Sequence, residues 1–248
     1  MHTDDAARAR LIVALDVAST GEARTLIGRL DGAVSFYKIG LELAMTGGLD
    51  LARDLAQSGH SVFLDMKFLD IGHTVERAVA SAAELGVTCL TIHGHDRKTL
   101  SAAVAGRGGS AMKLLAVTVL TNLTADDLAE QGISDSTTPA DLVLHRARMA
   151  EAVGFDGVIA SGQEAGRIRA AVAADFLIVT PGIRLAGTSQ GDQERVMTPD
   201  HAIAAGADYI VVGRPVTRAD DLALAARTFI GYIEAGLSER RSQSRSTK

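Results

Sequence analysis

Asp65 and Lys67 stand two residues apart in the run Phe63-Leu64-Asp65-Met66-Lys67-Phe68-Leu69-Asp70. In extended chain, residues i and i+2 project from the same face. A carboxylate and an ammonium therefore meet on one side, while Met66 turns to the other. At ~4 Å and an effective dielectric of ~20, such a pair interacts by about 4 kcal/mol. Asp16 and Lys38 close two earlier apolar runs and Asp70 lies just beyond, so three carboxylates and two ammoniums share the pattern. Burying charge is costly unless every group is paired. A structural ion-pair belt is the plain reading. The sharper one is a functional site, since charges so costly to bury are not placed there for stability.

A second set lies towards the C-terminus. Pro181-Gly182-Ile183-Arg184 follows one apolar run, a polar stretch carries Asp192 and Gln193, and Gly213-Arg214-Pro215 follows another run. Arg214 offers a planar fork that matches a phosphate. Gly213 permits close approach of backbone amides. Gln193 is placed to reach over as a lid contact. Other candidates are weaker. His93 and His95 could ligate a metal with Asp65 or Asp70, but a histidine satisfied at a strand end is the simpler reading. Cys89 is expected to pack as a small apolar group. Thr121 suits either a ligand hydrogen bond or a turn.

These residues need elements to hold them. Short, nearly continuous apolar runs occur at Leu11–Leu15, Val34–Ile39, Ser61–Leu64, Thr88–Ile92, Lys113–Val119, Gly157–Ala160, Phe176–Val179 and Tyr209–Val212. Runs apolar on both faces mark strands buried in a parallel sheet. Helical spacing fills the gaps, most clearly at Ser19–Leu30, Leu49–Ser58, Thr74–Leu85 and Asp220–Glu234. Ser19 or Thr20 caps the first of these. Gly32, Gly59, Gly86 and Gly154 fall where helices end in a left-handed residue. Eight strand–helix units favour an α/β fold, a single (β/α)8 TIM barrel, over an open doubly wound sheet, the alternative, whose glycine-rich dinucleotide motif does not follow the first strand. Barrel active sites lie at the C-terminal ends of the strands, with the phosphate seat after strands 7 and 8, where both residue sets fall. The expected organisation is an N-terminal extension over residues 1–10, the catalytic barrel over 11–236 and a polar, frayed tail over 237–248.

Composition narrows the function. The 248 residues include 25 Lys+Arg against 30 Asp+Glu, a formal charge of −5, which argues against a general nucleic-acid coat. Trp is absent and aromatics make up 4%, too few for a base-stacking platform. One cysteine rules out an internal disulfide and a cysteine-rich zinc site. No apolar run approaches a bilayer span and no apolar leader is visible, so the expected compartment is the cytoplasm, without membrane or nucleic-acid partners.

The D-x-K-x-x-D run of Asp65, Lys67 and Asp70, with Asp16 and Lys38 before it and Thr180-Pro181-Gly182-Ile183-Arg184 and Val211-Val212-Gly213-Arg214-Pro215 after it, resembles the orotidine 5′-phosphate decarboxylase family, of the bacterial type. The resemblance covers the chain from about Leu11 to the helix after Val216. It implies decarboxylation of orotidine 5′-phosphate to uridine 5′-phosphate and CO2 in pyrimidine biosynthesis, with no metal and no cofactor. Lys67 would protonate C6 of the pyrimidine, Asp65 would sit beside the reacting carboxylate, and Lys38 and Asp70 would hold the lysine in an alternating network. Asp16 and Lys38 would bind ribose hydroxyls. Thr121 and Pro181 would meet the pyrimidine, and Arg184, Gln193, Gly213 and Arg214 the phosphate. Asp70 and Thr74 would reach the neighbouring site of a homodimer. The chain departs from the family's usual residues at Leu69, Gly72, His73, Asn122 and Leu185. None of these removes a charged group of the set. Two other readings use the same residues: a D-x-K-x-x-D relative that holds Mg2+ against a sugar-phosphate enediolate, and a phosphate-ligand-binding barrel that is not an enzyme.

Overall fold

Residues 3–30, 32–134, 136–185 and 197–246 are described in a computed structural model. Eight parallel strands close into a barrel in sequence order. They are β1 (Leu11–Ala14), β2 (Phe36–Gly40), β3 (Ser61–Phe68), β4 (Cys89–His93), β5 (Lys113–Val117), β6 (Gly157–Ile159), β7 (Leu177–Thr180) and β8 (Tyr209–Val212). The expected barrel is the observed one. Side-chain alternation splits its apolar residues between two cores. Ile12, Ala14, Phe36, Phe63, Cys89, Leu115, Val179 and Val211 fill the interior. Leu11, Val13, Ile39, Leu64 and Leu90 pack outward against the helices. Strands flanked by both cores have no polar face, which is why they read as unbroken apolar runs.

The period of two also builds the mouth. Following the inward positions upward, Ile12 and Ala14 lead to Asp16, Phe36 to Lys38, Phe63 to Asp65, Cys89 to Thr91, Val179 to Pro181 and Val211 to Gly213. The packed plug therefore gives way to charge within one step of alternation. Phe36 and Tyr209 anchor the plug edge-to-face, with ring centroids 5.8 Å apart.

Local signals act as the sequence indicates in most places. Ser19 accepts a hydrogen bond from the Glu22 amide at the start of the helix Thr20–Arg29. Gly154, at φ 97°, ends the helix Pro139–Val153 in a left-handed cap.

The third strand runs past its apolar stretch through Asp65 and Lys67 to Phe68, where β4 supplies a partner. The N-terminal extension includes a helix, Thr3–Arg8, with Ala7 fully buried. One expectation changes: residues 237–246 are not a frayed tail, since the last helix runs from Leu222 to Ser246. Arg240 donates to the Ala207 carbonyl and lies 3.6 Å from the Asp208 carboxylate, which also holds Arg169 at 2.6 Å. Gly236 sits so close to the helix Pro199–Ala205 that a Cβ there would come within 2.5 Å of the Asp200 carbonyl oxygen. A polar composition hides these contacts because they span the floor of the barrel. Among the described residues no helix is long and apolar enough to cross a membrane.

Candidate active site

Four of the expected charges form one chain across the mouth. Lys38 Nζ lies 2.9 Å from Asp16 Oδ1 and 3.4 Å from Asp65 Oδ2, and Lys67 Nζ lies 2.8 Å from Asp65 Oδ1. The order is carboxylate, ammonium, carboxylate, ammonium. Lys38 and Asp65 are nearly withdrawn from solvent, with side chains 10% and 13% exposed, whereas Lys67 at 30% faces the opening. Burial acts to lower the Lys38 pKa, but the Asp65 and Asp16 carboxylates outweigh it and hold the ammonium above its ordinary range. Burial likewise acts to raise the Asp65 pKa. The Lys38 and Lys67 ammoniums, with hydrogen bonds from Lys67 and Thr91, reverse it and keep the carboxyl below the ordinary range. Both groups of the buried pair are thus charged.

Met66 packs outward on the helix-side core, as two-residue alternation requires. The backbone at Lys67 is not the extended chain that the alternation assumed. Lys67 has φ 50°, the only positive φ at a non-glycine among the described residues. Such a conformation costs on the order of 1–3 kcal/mol and persists only where surroundings enforce it.

Asp16, Lys38, Asp65 and Lys67 line a cleft of about 780 Å3 together with Pro181, Arg184, Gly213 and Arg214. The two sets, more than a hundred residues apart in sequence, therefore share one cavity. A smaller recess of about 180 Å3 adjoins it, bounded by Lys38, Asp65, Lys67, Thr121, Pro181 and apolar residues that include Phe63 and Val117. Charges of both signs line the cleft, Glu22 and Glu42 as well as Arg184, Arg214 and Arg218, and the recess adds an apolar wall.

Asp70 and Thr74 are not brought into this array. Asp70 is exposed and its carboxylate accepts the Ile71 amide at 2.6 Å. Thr74 lies exposed in the first turn of the helix Gly72–Ala83. Within one chain Asp70 does not help to hold Lys67, because the strand has ended and the chain has turned away before it. Leu69 and Ile71 beside it are 50% and 75% exposed. Gln193 lies outside the described residues.

Two residues of the mouth escaped the sequence reading. Thr91, fully buried on β4, joins Asp65 and the Lys67 backbone by hydrogen bonds. Its inward position, two before His93, was the available signal. At Gly40 a Cβ would stand 3.1 Å from Lys38 Nζ and 3.2 Å from Asp16 Oδ1, crowding that pair. A glycine two places after a mouth lysine is its only mark in the sequence.

A family profile, orotidine 5′-phosphate decarboxylase / HUMPS, matches residues 9–229. The chain belongs to this family. Relatives named orotidine 5′-phosphate decarboxylase include those of Afipia carboxidovorans, 52% identical over 91% of this chain and 95% of the relative, and Rhodopseudomonas palustris, 52% identical over 92% and 95%. Among solved structures, the decarboxylase of Lactobacillus acidophilus superimposes with a TM-score of 0.79 at 35% identity, covering 91% of this chain and 99% of its own. An uncharacterized conserved protein from Geobacillus kaustophilus gives a TM-score of 0.77 at 32% identity, covering 90% and 99%.

His93 and His95 complete the rim beside Lys67 in this member of the decarboxylase family. Their rings stack 4.7 Å apart at 27°, and no group of three metal-ligating side chains occurs among the described residues. Burial, then His95, Lys67 and Arg146, hold the His93 pKa down to about 4. Burial, then Arg146, lowers that of His95. The unfolded chain takes up these protons near pH 6.5, whereas the folded chain resists until lower pH. Stability contributed by the neutral pair is complete above about pH 6.5 and declines as pH falls towards 4. Melting temperatures measured from pH 7 to 4.5 should therefore fall, and His93→Gln should flatten the decline. An unchanged slope in that variant would remove His93 as its cause.

Proposed function

We propose that the chain decarboxylates orotidine 5′-phosphate to uridine 5′-phosphate and CO2, with no metal or organic cofactor. The observation that carries this reading is the alternating chain Asp16–Lys38–Asp65–Lys67 in the same cleft as Arg184 and Arg214. As the bond from C6 to the carboxyl carbon breaks, its electron pair stays on C6 and CO2 leaves. Lys67 then gives a proton from its ammonium to C6. An ammonium fixed 2.8 Å from Asp65 needs little reorganisation to meet that charge, and it interacts more strongly with the carbanionic transition state than with the substrate.

The remaining groups bind. Asp65 adjoins the substrate carboxylate, and repulsion between them would ease its departure. Asp16 and Lys38 take the ribose hydroxyls. Thr121 and Pro181 border the adjoining recess, whose apolar wall suits a pyrimidine face. Arg184, Gln193, Gly213 and Arg214 take the phosphate. A homodimer in which Asp70 and Thr74 complete the neighbouring site is supported by their exposure beside Leu69 and Ile71. The magnesium-enediolate reading fits less well, because Asp65 is already held by two ammoniums that a cation would have to displace.

Incubation with orotidine 5′-phosphate, with and without a chelator, tests this directly. Pyrimidine absorbance should change, CO2 should be released, and the chelator should make no difference. Loss of activity with chelator would favour the magnesium chemistry. Tight binding of the nucleotide with no absorbance change would leave a binding barrel.

A further inference from the structure

Between the ladder pairs Leu64–Leu90 and Phe68–Ile92, three residues of β3 stand against one residue of β4. The three are Asp65, Met66 and Lys67, and the one is Thr91. This bulge re-aims the strand at the point where its charges enter the mouth. The Lys67 amide donates to Thr91 Oγ1 at 2.9 Å, and Thr91 Oγ1 lies 3.0 Å from Asp65 Oδ1. A backbone amide can only donate and a carboxylate can only accept, so the single hydroxyl proton must point to Asp65. The same Oδ1 receives Lys67 Nζ at 2.8 Å. A closed ring results, from the Lys67 backbone through a hydroxyl and a carboxylate to the Lys67 ammonium. Thr91 is fully buried, so bulk water does not compete for these bonds.

We propose that Thr91 is a positioning residue for the reaction. Its hydroxyl holds Lys67 in the left-handed conformation and thereby fixes the height and direction of the ammonium. The inference rests on the decarboxylation proposed above. No other side chain is bonded to both the Lys67 backbone and Asp65 among the described residues. A hydroxyl at this place acts on geometry and not on substrate affinity, so its loss should appear in kcat.

Thr91→Val keeps the shape and removes the hydroxyl, whereas Thr91→Ser keeps the hydroxyl. With orotidine 5′-phosphate, Thr91→Val should lower kcat at least tenfold with KM within threefold of wild type. Thr91→Ser should stay within threefold in both. The acid limb of the kcat profile should move to higher pH in the valine variant alone, because Asp65 loses a hydrogen bond to its charged form. Should the valine variant fail to fold, Thr91→Ala against Thr91→Ser isolates the hydroxyl, and the same tenfold gap is expected. Equal kcat in the serine and alanine variants, or a valine variant within twofold of wild type, would overturn the proposal. Amide hydrogen exchange at Lys67, read by NMR without substrate, should be at least tenfold faster when the hydroxyl is missing. An inactive wild-type chain would therefore defeat the functional reading alone, and unchanged exchange would defeat the role of Thr91.

Discussion

Lys67→Ala lowers kcat for orotidine 5′-phosphate by at least about 10^3-fold while the barrel stays folded. A positioned proton donor contributes roughly 10^2–10^4-fold, and a preorganised charge at a developing anion roughly 10^2–10^3-fold. Lys67 would supply both, and no other ammonium in the array is as open to the cleft. Lys38 is buried and already holds Asp16 and Asp65. The fold survives because Lys67 lies at the rim and Asp65 keeps Lys38 at 3.4 Å, so no buried carboxylate is left without a counter-charge. Single-turnover absorbance measurements, with far-ultraviolet dichroism and a melting curve, check both halves. A folded variant that turns over within tenfold of wild type would remove Lys67 as the proton donor.

Arg214→Ala produces the second large effect, about 10^2-fold or more in kcat/KM. Arg214 lines the same cleft as Lys67 but opens the short helix Arg214–Thr217 after β8, so it would touch a part of the substrate that does not react. Truncating one partner of a close charge pair costs about 2–5 kcal/mol, and about 1.4 kcal/mol is tenfold. If phosphate binding holds the mouth in its reactive arrangement, part of that loss appears in kcat and not only in KM. Orotidine without its phosphate supplies the control. It should react poorly with the wild-type chain and no worse with Arg214→Ala. A variant equally impaired towards both substrates would show that Arg214 supports the fold and not the phosphate.

The charged set was legible in the sequence because strand alternation is local. Once a run is extended, Phe36 inside places Lys38 inside, and Phe63 inside places Asp65 inside. The second lining of the cleft was legible because Pro181, Gly213 and Arg214 directly follow the last two strands, at the end of the barrel where the mouth opens. Asp70 was misplaced within the single chain for the complementary reason. It lies past the end of β3, where alternation no longer governs direction, and its carboxylate turns back to the next amide. The C-terminal segment misled through composition, since Arg240 looks solvated until Asp208 is brought beside it.

The sequence by itself determined the eight buried strands and the inward direction of Asp16, Lys38 and Asp65. Tertiary structure alone decided the bulge that sets three residues against Thr91, the left-handed backbone of Lys67, and the meeting of both residue sets in one cleft. Alternation follows from the covalent geometry of each strand, whereas register and closure depend on which residues of distant strands come to face one another.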